Sequence, residues 1–196
     1  MTYNLDKNYH SLDRLDKWDR VTQNSIKKRL KEEIGEVSVF DFLSEEEGRI
    51  LKIITDIAIP QKSGADYIKI AETIDRELTD QKKGVRYGKN TWSGEFYRTG
   101  LKAVSEYVKK NYAEPIEQTN DAQRKEFFSK IISDNETSLT HRFLRRVLSD
   151  AINIYFSHPL SWNKIGFPGP AYPEGYAYLD CGETDKWEPQ YEEYEK

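Results

Sequence analysis

The chain has 196 residues, 37% hydrophobic and 33% charged, with a formal net charge of −4, which is length enough for one domain with its own core. The acidic balance, with no basic stripe interleaved with aromatics, argues against a nucleic-acid binder. A single cysteine, Cys181, excludes an internal disulfide, and no run approaches the ~18 apolar residues that a membrane-spanning helix needs.

Residues 1–36 alternate acids and bases around Leu12, Leu15, Trp18, Ile26, Leu30 and Ile34. The loose 3–4 spacing predicts an N-terminal arm of one or two weakly amphipathic helices that need a surface to lie on. Val37 to Phe42, VSVFDF, is the one strand-like alternation, too isolated to make a sheet. Ser44-Glu45-Glu46-Glu47 then reads as a capping box. Ile50, Leu51, Ile54 and Ile57 follow at helical period, and Pro60 ends the run. Tyr67, Ile68, Ala71, Ile74 and Leu78 predict the next helix.

Gln81 to Gly94 is a polar, glycine-containing loop in which Trp92 stands out. A loop tryptophan covers a core edge or meets a partner. Helices are expected over Phe96–Tyr112, Asp121–Ile132 and Leu139–Tyr155, the last capped by Thr137 or Ser138 and stopped by His158-Pro159. The fold class is therefore all-α. A single domain of five or six helices spans 37–180, after the 1–36 arm and before an acidic tail at 181–196.

The stretch from His158 to Tyr178 holds four of the seven prolines together with Gly166, Gly169 and Gly175. Proline fixes φ and removes a donor, whereas glycine admits φ > 0. IGFPGPAYP is accordingly a shaped, irregular strap. It packs on its own domain, docks on a partner chain, or does both residue by residue, because aromatics on preordered loops make good anchors. Gly169→Val is expected to misdirect it if Gly169 holds a positive φ.

The chain shows no GxGxxG, P-loop, HExxH, CxxC or CxxCH pattern, and so no recognisable nucleotide, zinc, cluster or haem site. His141 and His158 fall about 25 Å apart along one helix. A Ser161/His158/Asp180 triad lacks the nucleophile-elbow sequence around the serine. His158 reads instead as a helix-end cation.

Two blocks carry a family resemblance. One is FLSEEEGRILKIITDIAIP, Phe42 to Pro60. The other is Tyr155-Phe156-Ser157-His158-Pro159 followed by Ile165-Gly166-Phe167-Pro168-Gly169-Pro170 and Tyr172. Over about residues 40–180 the chain resembles subunit 3 of gluconate 2-dehydrogenase, the small chain of flavin-dependent sugar dehydrogenases. The resemblance implies a non-catalytic subunit with no cofactor of its own. It would bind and stabilise a large FAD subunit similar to glucose–methanol–choline oxidoreductases, and a cytochrome c takes the electrons in many such assemblies. Trp162, Ile165, Phe167, Pro168, Gly169, Pro170 and Tyr172 in the strap, with Trp92, are the expected partner-binding residues. Many members carry a twin-arginine signal. This N-terminus has none, which gives a cytoplasmic expectation, with membrane association or export only through a partner. A stand-alone helical chaperone or binding module is the alternative reading, and a small enzyme with an unrecognised site is a third.

Overall fold

The computed structural model describes residues 10–80, 94–133, 138–167 and 169–170. Seven α-helices are found among them: α1 (Arg20–Glu32), α2 (Glu45–Ala58), α3 (Ile70–Thr79), α4 (Gly94–Tyr112), α5 (Asp121–Ser133), α6 (Leu139–Ser157) and α7 (Trp162–Ile165). Two 3-10 segments accompany them, Ser11–Lys17 before α1 and Pro159–Ser161 between α6 and α7, and no strand is formed among the described residues. The all-α expectation holds. The described residues fall into two compact units, one of 10–32 with 156–170 and one of Glu33–Tyr155. The segment expected as an arm thus groups with the C-terminal strap.

In the Glu33–Tyr155 unit, α2 packs against α3, α4 and α5. Its start is built as the sequence demands. The Glu47 amide donates to Ser44 Oγ at 3.2 Å, and the Glu47 carboxylate accepts from the Ser44 amide at 2.9 Å. Both bonds of the capping box satisfy donors that would otherwise be orphaned. Leu51 and Ile54 are fully buried on the core face, and the helix ends at Ala58, two residues before Pro60. The contact of α4 with α6 depends on a missing side chain: the Phe143 ring lies against Gly100, where a Cβ would come within 2.2 Å of it. Tyr97 meets the same ring edge-on at 5.5 Å.

Two boundaries differ from the sequence reading. The helix expected from Tyr67 begins at Ile70. Tyr67 and Ile68 are instead held extended. The Gly35 amide donates to the Tyr67 carbonyl at 2.8 Å, and Ile68 makes an isolated antiparallel bridge with Ile34. The Gln61 side chain clamps both the amide and the carbonyl of Ile68 at 3.0 Å. Long-range pairing outweighs local helical spacing here. The other difference lies after α6, where the strap opens with a 3-10 turn and one turn of α-helix. It turns irregular only at Gly166, whose left-handed φ of 68° caps α7.

Candidate functional site

The strap is the candidate site, and its geometry starts from α1. Arg29 reaches the C-terminus of α6, donating to the Ser157 carbonyl at 2.8 Å. The Trp162 indole donates to the same oxygen at 3.2 Å. A helix end leaves carbonyls unpaired, so a cation and an indole there satisfy them. Asn163 Oδ1 accepts from both the amide and the hydroxyl of Ser11, at 2.8 and 3.0 Å. Trp18 meets Trp162 edge-on at 6.1 Å, and Ile26 completes their buried cluster. The N-terminal helices and the strap thereby supply each other's core within this unit.

Gly169 has φ +107°, and a Cβ there would approach the Trp18 ring to 2.3 Å. Two constraints meet on one residue: a backbone region that disfavours side chains, and an indole already in the space. The positive φ on which the Gly169→Val expectation is conditioned is present.

The expected partner-binding residues differ in exposure. Trp162 is buried, and so is Gly169. They hold the strap in place and offer no surface. Ile165 and Phe167 face outward, 48% and 38% exposed, with Phe167 stacked edge-on against Trp162 at 5.3 Å. Pro170 is half-buried. Pro168, Tyr172 and Trp92 lie outside the described residues.

His158 corrects the helix-end cation reading. It is fully buried, and its Nδ1 accepts from the Leu160 amide at 3.3 Å. The side chain is thus turned inward as the cap of the 3-10 turn and is not presented to solvent at the helix end. Ser161 is equally buried, which keeps its hydroxyl from any substrate, and Asp180 lies outside the described residues. His141 donates from Nδ1 to the Ile131 carbonyl at 2.8 Å and ties α6 to α5.

Other polar groupings are structural. Asp75, buried on α3, accepts from the amides of Asp41, Phe42 and Leu43, the outer two at 2.6 and 2.7 Å. Asp150 accepts from the Tyr97 hydroxyl at 2.6 Å and from Arg146 Nε at 2.5 Å. The Tyr67 hydroxyl donates to Asp56. Burial raises the Asp56 carboxyl above its ordinary range, with Tyr67 and then Lys52 opposing, and burial, then Asp56, raises the Tyr67 phenol. An open groove of about 500 Å³ runs between α2 and α4, flanked by Glu46, Glu47, Arg98 and Lys102. Arg98 and Glu47 face each other there at 4.0 Å. Among the described residues no group of three or more His, Cys, Asp or Glu side chains is placed to hold a metal ion. No helix among them is long and apolar enough to cross a membrane.

No curated protein and no solved structure matches the chain. A family described as gluconate 2-dehydrogenase subunit 3 matches it over residues 45–169. That span runs from the first residue of α2 to Gly169 and takes in nearly all of both blocks of the resemblance. The match covers well over half of the sequence, and the chain belongs to the gluconate 2-dehydrogenase subunit 3 family.

Proposed function

We propose that the chain is a non-catalytic small subunit that binds and stabilises the FAD-containing, glucose–methanol–choline-type large subunit of a sugar or sugar-acid dehydrogenase. The family match carries this reading, since it extends through the strap to Gly169. The strap's construction supports it. Trp162 and Gly169 turn inward and fix the loop, while Ile165 and Phe167 are left outward. Exposed apolar residues on a rigid loop suit a protein interface. FAD belongs to the large subunit in this reading, and a cytochrome c is one candidate electron acceptor. The compartment follows the large subunit and its signals.

The test is affinity purification of the tagged full chain from its native host, followed by the visible spectrum of the eluate. A near-equimolar larger chain with flavin bands, reducing a dye when given sugars or sugar acids, is the expected result. A colourless chain that folds well and retains no partner would overturn the proposal and leave a stand-alone binding module.

A further inference from the structure

VSVFDF is the one strand-like alternation in the sequence, and the family match begins beyond it, at residue 45. Within the Glu33–Tyr155 unit its residues alternate as a strand would. Val37 is 73% and Val39 67% exposed, while Ser38 and Phe40 turn inward. The stretch is tied down before its first valine and through its two inward side chains. The Gly35 amide is bonded to Tyr67 at 2.8 Å, Ser38 Oγ donates to Glu72 at 2.5 Å, and the Phe40 ring fills the space over Gly48 on α2. The next three amides converge on the buried Asp75 carboxylate. Among the described residues, no backbone group of Val37 or Val39 is hydrogen-bonded.

This is a stretch outside any strand, tied down on both sides, with unpaired main-chain groups at Val37 and Val39 and two β-branched side chains facing out. It has neither the lysine nor the proline that commonly discourages strand pairing. We infer that residues 36–40 receive an extended segment of the large flavoprotein subunit by strand addition, a second contact apart from the strap. The main chain supplies the affinity and alternate side chains the selectivity. The inference rests on the proposed subunit role.

A second copy is the poorer occupant. Two valines from each chain fall far short of the ~1,000 Å² that a specific interface should clear. The stretch therefore suits a partner that also binds elsewhere. Exposed Glu36 and Asp41 flank the valines, so two copies would oppose acid to acid. The segment that fits has apolar residues at alternate positions and lysine or arginine beside them.

The experiment is hydrogen exchange of the free full chain and of the complex purified with its flavoprotein, read at residues 36–43. Strand addition predicts slowed exchange of the Val37 and Val39 amides in the complex. Val39→Pro, which removes one donor, is expected to retain the flavoprotein about tenfold less tightly, while Val39→Thr keeps the amide and the β-branch and retains it normally. If Val39→Pro also lowers the melting temperature of the free chain, the exchange result decides. A flavoprotein that co-purifies while both amides exchange as in the free chain overturns this inference and leaves the subunit role standing. If no flavoprotein co-purifies with the wild-type chain, both fall. A free chain that is dimeric, with these amides already protected, overturns it in favour of a second copy.

Discussion

Single residues decide whether the strap keeps its shape. Gly169 combines φ +107° with an indole 2.3 Å from where a Cβ would stand. Relaxing the backbone does not clear the ring, and moving the ring does not relieve the backbone. Gly169→Val is expected to cost about 2–5 kcal/mol of stability, strain and overpacking together, measured as a lower denaturant midpoint at unchanged m-value. A neutral variant would mean that the strap takes another path past Trp18. Asp56 gives a prediction in pH. Burial raises its pKa in the folded chain, so the folded state holds the proton more tightly than the unfolded one. Its contribution therefore turns unfavourable as pH rises above the ordinary carboxylate range. Asp56→Asn keeps an acceptor for Tyr67 without the buried charge. Its melting temperature relative to wild type should rise with pH from about 4 upward and level off above the folded pKa. A difference independent of pH would show that Asp56 does not titrate in this range.

At the level of elements, what the sequence disclosed was local chemistry. Ser44 and Glu47 sit three apart and form the bonds that spacing predicts. Asn120 and Gln123 make the same reciprocal pair before α5, at 2.9 and 3.0 Å, and the N-x-x-Q spacing is its local signal. Ser138, one of the two caps expected for α6, accepts from the His141 amide at 3.2 Å. What stayed hidden was long-range. Tyr67 and Ile68 fit helical spacing, but their partners Ile34 and Gly35 lie more than thirty positions away. Trp18 and Trp162 stood out as tryptophans, yet nothing local joins residues 144 positions apart. Asp75 carries no local signal, because one acid on a short helix is ordinary in a chain with 34 acidic residues. Its carboxylate nevertheless anchors the entry to α2 through three amides. Asp75→Asn loses the charge and turns an NH₂ group towards donors. It should cost about 2–4 kcal/mol and speed amide exchange at Asp41, Phe42 and Leu43 before the rest of the unit. Uniform loss of protection would make Asp75 an ordinary core residue instead of a local clasp.

For the whole molecule, the question is which residues a partner touches and which merely hold the touching residues in place. Trp162 and Gly169 are buried, so changing them disturbs the fold first and association second. Ile165 closes α7 with 48% of its surface exposed. A lysine there meets solvent in the free chain, at a helix end where a cation is favoured. Ile165→Lys should accordingly leave the melting temperature of the free chain unchanged, within the ~0.5 kcal/mol typical of surface substitutions. In the proposed complex, if Ile165 belongs to the contact, the same lysine would place an unpaired charge in it. Retention of the proposed flavoprotein partner should then fall about tenfold or more, as when an interface anchor is lost. Gly169→Val should lose stability and retention together, and Val39→Pro should weaken retention through the other contact. Ile165→Lys that binds as well as wild type would remove Ile165 from the interface and move the strap's contribution to Phe167 or beyond. Lower stability in the free chain would show instead that Ile165 packs within its own unit. Measured side by side on the free chain and on the complex, the three variants separate a residue that supports a surface from one that belongs to it.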